Sequence, residues 1–150
     1  MKQWTATWGN DPDDDYNLVL EIICNDKEVA VIKQCVQGLI LKWYISPKGL
    51  AIPANWLVRL LLDSKKEIVD PTTVTKEIVI EKWTIVWPTD QDPDRNRILK
   101  ILCVDEEVAI VKQNQQEVIL EWIANPKGLI IQADWLLELL LAVNEKMAST

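Results

Sequence analysis

Residues 46–62 read SPKGLAIPANWLVRLLL, and residues 125–141 read NPKGLIIQADWLLELLL. Pro-Lys-Gly, an apolar step, Trp-Leu and a run of leucines return 79 positions later. Sliding the chain by 79 also places Trp4 on Trp83, Trp8 on Trp87, Trp43 on Trp122 and Trp56 on Trp135, so all eight Trp pair off. From Trp4 to Leu62, 31 of 59 positions match without a gap. A solenoid usually needs three or more copies. Two copies are what a fused dimer looks like, with an internal pseudo-two-fold in place of a symmetric interface. The reading is therefore repeat one over 1–62, a linker over 63–75 broken at Asp70-Pro71, and repeat two over 76–150.

Inside each repeat the hydrophobic period is mostly two, which predicts strands. Trp4, Ala6 and Trp8 share a face, as do Trp83, Ile85 and Trp87. Leu20, Ile22 and Cys24 share a face of a second strand, reproduced by Leu99, Ile101 and Cys103. CNDKEV and CVDEEV read as tight polar turns into third strands, Val29–Gln34 and Val108–Gln113. Fourth strands put Leu39, Leu41, Trp43 and Ile45 inward, matched by Val118, Leu120, Trp122 and Ala124. Lys42 becomes Glu121 on the opposite, wet face.

The two Pro-Lys-Gly stretches suit type I turns, with Pro pre-setting the second position and Gly at the fourth. A short strand follows (50–52; 129–131), then a helix from Ala54 or Ala133. Asn55 and Asp134 fall in the first turn, near the free N–H groups. These helices are apolar over most of their circumference, so each is buried on more than one side. One side meets a sheet, and the other meets the twin helix or another subunit, which admits a homo-oligomer. The expected fold class is α+β: two tandem β-β-β-β-(β)-α repeats with antiparallel sheets, packed as an intramolecular pseudo-dimer.

This order resembles the superfamily of positive cofactor four, the PUR-repeat proteins and the Whirly proteins. VAVIKQCVQGLILKWYISPKGLAIPANWL (29–57) and VAIVKQNQQEVILEWIANPKGLIIQADWL (108–136) carry the likeness, about half of each repeat. The step from Lys-Gly to Trp is one residue shorter than that pattern, and the basic strands are thin. The resemblance implies curved antiparallel sheets, each followed by a helix, and binding of single-stranded DNA or RNA.

Composition narrows the chemistry. With no His, the commonest general base and zinc ligand is missing. Cys24, Cys35 and Cys103 form no CxxC pair, so they read as small buried apolar residues in a reducing cytoplasm. No apolar run approaches the roughly 20 residues of a membrane span. The net charge of −7 opposes non-specific attachment to nucleic acid or anionic lipid, though a local basic groove stays compatible with it. Asp11, Asp13 and Asp15, with Asp90, Asp92 and Asp94, start like a calcium loop. The Gly and Glu that an EF-hand needs at positions six and twelve are Tyr16 and Ile22, or Arg95 and Ile101. A solvated acidic loop is the reading, with no metal or other cofactor. Without a phosphate loop, nucleophile elbow or Cys–base pair, the chain is expected to be non-enzymatic.

The candidate site residues are those kept in both copies. Lys33, Lys48, Lys112 and Lys127 would contact phosphates, beside an aromatic platform that stacks bases. The plainer reading makes Lys48 and Lys127 turn residues, and Lys33 and Lys112 solvated strand positions. Trp43, Trp56, Trp122 and Trp135 read as core. Trp4, Trp8, Trp83 and Trp87 read first as core too, but two Trp on one strand face is much to bury in a small domain, so they are the stacking candidates. The expected partner is single-stranded DNA or RNA. The alternative is a protein partner, with the chain an acidic adaptor or assembly chaperone binding through its apolar helices.

Overall fold

The computed structural model describes residues 3–11, 17–68, 80–87, 99–114, 117–126 and 129–148. Repeat one gives β1 (Trp4–Asp11), β2 (Asn17–Cys24), β3 (Lys27–Cys35), β4 (Gly38–Trp43), β5 (Ala51–Pro53) and α1 (Ala54–Glu67). Repeat two gives β6 (Trp83–Val86), β7 (Leu99–Cys103), β8 (Glu106–Asn114), β9 (Glu117–Trp122), β10 (Ile130–Gln132) and α2 (Ala133–Ala148). The chain is α+β, with two antiparallel sheets of five strands and two helices.

Local chemistry accounts for the hairpins. Asn25-Asp26 and Val104-Asp105 link β2 to β3 and β7 to β8 with φ of 52°, 66°, 51° and 66°. Two consecutive positive φ values define the type I′ turn, whose twist suits a tight hairpin. Both hairpins carry a register shift at the same place, between Ile22 and Ile23 and between Ile101 and Leu102. Leu20 pairs with Ile32, and Ile32 with Leu41. These three, with their counterparts Leu99, Val111 and Leu120, are buried in the core.

The strand order is β1-β2-β3-β4-β10 in one sheet and β5-β9-β8-β7-β6 in the other. The short strand of each repeat therefore completes the sheet of the other repeat. Ala51, Ile52 and Pro53 pair with Glu121, Leu120 and Ile119; Ile130, Ile131 and Gln132 pair with Lys42, Leu41 and Ile40. Flanking bonds repeat the exchange, with the Trp43 amide donating to the Leu129 carbonyl at 2.8 Å and the Trp122 amide to the Leu50 carbonyl at 2.9 Å. Period-two patterning predicts the short strands but carries no information on which sheet takes them.

Each helix starts at the expected alanine and runs antiparallel to its twin. Lys65 Nζ lies 3.5 Å from Asp134 Oδ1, and Asn144 Nδ2 donates to Asn55 Oδ1 at 3.0 Å. The two contacts link the end of each helix to the start of the other. Ala54, Leu57, Val58 and Leu61 on α1, and Ala133, Leu136, Leu140 and Val143 on α2, join one core cluster that draws on both repeats. All three Cys are free and buried. Among the described residues, no helix is long and apolar enough to cross a membrane.

Two local expectations need adjustment. The turn after β4 is not a type I turn over Ser46–Gly49: the Leu50 amide donates to the Pro47 carbonyl at 3.0 Å, and Gly49 has φ +87°. The turn is thus shifted by one residue, with Gly at the third position, where a type II turn requires positive φ. Helix α1 also continues to Glu67, into the stretch read as linker, and the Ile68 amide closes it on the Ser64 carbonyl at 2.8 Å. Residues 69–79, the acidic stretch 12–16 with its counterpart 91–95, and Lys127 lie outside the described residues.

Candidate functional site

The candidate residues divide between the two faces of the sheets. Trp4, Ala6 and Trp8 pair with Cys24, Ile22 and Leu20, which places them on the core-facing side. Lys33 pairs with Ile40, and Lys42 with Val31. Because neighbouring residues of a strand point to opposite faces, Lys33 and Lys42 lie on the outward face, away from Leu20, Ile32 and Leu41. The structure therefore does not bring Lys33 together with Trp4 or Trp8 on one surface. The thickness of the sheet separates Lys33 from Trp4 and Trp8, and Lys112 from Trp83.

Trp4 and Trp83 have other work. Trp4 Nε1 donates to the Ala51 carbonyl at 3.0 Å, and Trp83 Nε1 donates to the Ile130 carbonyl at 3.0 Å. Each indole thereby ties a first strand to an exchanged short strand. The ring of Trp4 also packs on Trp56 (centroids 6.0 Å) and that of Trp83 on Trp135 (6.5 Å). Trp87 is half-buried. Trp8 is 42% exposed, beside an open cleft of about 340 Å³ lined by Leu18, Asp63, Lys66 and Glu67.

The outward sheet faces differ in electrostatics. On the second sheet, Lys112 pairs with Ile119 and Glu121 with Ile110, so the two charges sit diagonally across β8 and β9. Their side chains meet at 2.6 Å, which shows that this diagonal is within reach. The same diagonal on the first sheet holds Lys33 and Lys42. Neither makes an ion pair among the described residues. Glu21, on the same face, folds its carboxylate over Gly9 instead, where an added Cβ would lie 3.1 Å from Oε1. Gln132 is exposed on β10 opposite Ile40, extending the polar rim, while Val31 and Ile40 form a buried floor.

Lys48 is exposed on the turn after β4. Its amide donates to Ser46 Oγ at 3.4 Å, and the Ser46 hydroxyl reaches Asn125 Oδ1, its own counterpart in the repeat. Sequence reading passed over Lys42 because it is not repeated. The legible signal was the change from Lys42 to Glu121 beside a retained Lys, which cancels one cation and leaves the other sheet with two.

No family model matches the chain, and neither a curated protein nor a solved structure does.

Proposed function

We propose that the chain is a non-enzymatic binding protein whose two repeats act as an intramolecular pseudo-dimer, and that a single-stranded nucleic acid lies across the outward face of the first sheet. The observation that carries this reading is the pair Lys33 and Lys42, which makes no ion pair among the described residues, set against the neutralised Lys112–Glu121 pair at the same place on the second sheet. Two adjacent cations over an apolar floor suit successive phosphates, and backbone cations supply much of the attraction for single strands. Gln132 adds a neutral donor and acceptor at the rim. The reading agrees with the single-strand-binding superfamily that the repeats resemble, but moves the contact from a symmetric set of Lys to one sheet. The test is titration with oligo-dT at two salt concentrations, comparing Lys33→Glu and Lys42→Glu with Lys112→Glu. No binding by the unmutated chain at low salt sinks the proposal.

A protein partner is the second reading, and one observation favours it. Most of the helices' apolar surface is buried in the core, but Trp8 stands at a cleft with Leu18 beneath mixed charges. An exposed Trp in such a setting is a common anchor for a partner. Binding there should vary little with salt, and Trp8→Ala should abolish it while Lys42→Glu leaves it intact.

A further inference from the structure

The outer surface of the helix pair carries a pattern that neither the core nor the sheets use. Asn55, Arg59, Leu62 and Lys66 fall at steps of four, three and four residues, forming one stripe along α1, and all four are exposed. Their counterparts on α2, Asp134, Glu138, Leu141 and Glu145, are also all exposed. Along this stripe the repeat keeps only leucine: Asn becomes Asp, Arg becomes Glu and Lys becomes Glu. The helices are antiparallel neighbours, joined by Lys65–Asp134 and Asn144–Asn55. Their outer surface is therefore a basic stripe beside an acidic stripe, each with a solvent-facing leucine, Leu62 at 47% and Leu141 at 45% exposure.

We infer that this surface binds a second copy of the same chain. An interface between identical copies related by a two-fold must be complementary to itself. A two-fold axis lying between the copies and parallel to the helices sets α1 of one over α2 of the other. Arg59 and Lys66 then face Glu138 and Asp134 of the second copy, both leucines leave water, and every contact occurs twice. An axis perpendicular to the helices would instead stack basic on basic and acidic on acidic, which is repulsive. Charge thus selects both the partner and its orientation. Asp63 and Glu67, the acidic groups of α1, line the cleft beside Trp8, which Lys66 also borders.

The scale of the surface sets the strength. A helix of 14 residues is about 21 Å long at about 1.5 Å per residue. Two side by side offer roughly 400 Å² per copy, about half of the roughly 800 Å² that each partner contributes to a standard interface. The dimer is consequently reversible, concentration-dependent and weakened by salt. The inference does not depend on nucleic-acid binding.

Sedimentation velocity over a concentration series at low and high salt tests it. The unmutated chain should pass from monomer to dimer at low salt, with the dimer weakened as salt rises. Arg59→Glu with Lys66→Glu makes both stripes acidic; Asp134→Lys with Glu138→Arg reverses the two acids that Lys66 and Arg59 face. Each variant alone should lose about a hundredfold or more in dimer affinity through like-charge contact. Mixing the two should restore a one-to-one dimer, a result that misfolding could not give. A chain that stays monomeric at its highest soluble concentration overturns the inference, as does a dimer that survives in both variants or a mixture that fails to associate.

Discussion

Trp43 and Trp122, 79 residues apart and equivalent in the repeat, touch each other: their ring centroids lie 5.7 Å apart at an interplanar angle of 75°. Two equivalent residues can meet only close to whatever axis relates the copies. Ser46 and Asn125, also equivalent, meet in the same way. These contacts support the pseudo-dimer proposed above. They also carry a spectroscopic consequence, because two buried indoles at this separation and angle couple. A far-UV circular dichroism couplet is expected, and it should weaken without vanishing in Trp43→Phe, because Trp122 also packs edge-on against Trp83 at 6.0 Å. Both Nε1 atoms are buried without a hydrogen-bond partner, so replacing indole by phenyl removes an unsatisfied N–H along with ring volume. Trp43→Phe should cost about 1–2 kcal/mol, well below the roughly 3–5 kcal/mol of Trp43→Ala. Equal losses in urea denaturation would show that the N–H is satisfied after all.

Each repeat supplies a repair for the other. Ser64 is fully buried and its hydroxyl has no partner, whereas its counterpart is the buried Val143. Ser64→Ala should stabilise by about 1 kcal/mol, since a desolvated hydroxyl is lost at little cost in volume. Conversely, Val104 sits at φ 51° where repeat one has Asn25 at φ 52°. A β-branched residue is strained in the left-handed region, and Asn tolerates it. Val104→Asn should stabilise by about 1 kcal/mol, and Asn25→Val should destabilise by a similar amount. A shift of the thermal midpoint in the opposite direction for Val104→Asn or Asn25→Val would refute the turn assignment, and a loss of stability in Ser64→Ala would show that its hydroxyl is satisfied.

The leucines that face inward test the packing. Leu61 is 1% and Leu140 0% exposed, and both join the single core cluster. Leu61→Ala and Leu140→Ala should each cost about 2–5 kcal/mol. Leu62→Ala and Leu141→Ala, one position further along the same helices and exposed, should each change the stability of the monomer by less than about 0.5 kcal/mol. Similar losses at all four positions would mean that the helices are rotated from the orientation described.

Much of this was legible in the sequence, and the physics explains where legibility ended. Period-two patterning located the strands, the hairpin turns and the inward rows, because alternation is a local property of one strand. Helix starts at Ala54 and Ala133 were readable for the same reason. The pairing of β5 with β9, and of β10 with β4, was not: Leu50-Ala51-Ile52 would look the same beside either sheet. The division of the Trp was half-legible. Burial of Trp43 and Trp122 follows from their aliphatic neighbours, but the bond from Trp4 to the Ala51 carbonyl depends on the exchange and could not precede it. The cationic face was missed where it departs from the repeat, at Lys42.

Lys33, Lys42 and Lys112 separate the binding proposal from the symmetric alternative. If phosphates bind the first sheet, Lys33→Glu and Lys42→Glu should each weaken oligo-dT binding and flatten its salt slope by about 0.7. Lys112→Glu should do neither, because that cation is already held by Glu121 at 2.6 Å. Folding should survive in all three, as substitutions at such surface positions usually stay within about 0.5 kcal/mol. Equal losses at Lys33 and Lys112 would return the contact to a symmetric set.

The strand exchange makes a prediction about covalent continuity. Since β5 completes the sheet of β6 to β9, and β10 completes that of β1 to β4, neither repeat holds a whole sheet by itself. A protease site placed within residues 69–79 would cut the backbone between α1 and β6 without cutting any strand or helix described. The two fragments should stay associated, co-elute in gel filtration and keep the circular dichroism spectrum of the intact chain. What the cut changes is molecularity: partners formerly tethered must now find each other from solution. At high salt, where the self-association inferred above is weakened, the thermal midpoint should therefore become concentration-dependent after cleavage, rising as the fragments are concentrated, while that of the intact chain does not. Refolding should slow with dilution for the same reason. Fragments that separate under native conditions, each keeping its own β-rich spectrum, would show two independent domains and end the pseudo-dimer proposal.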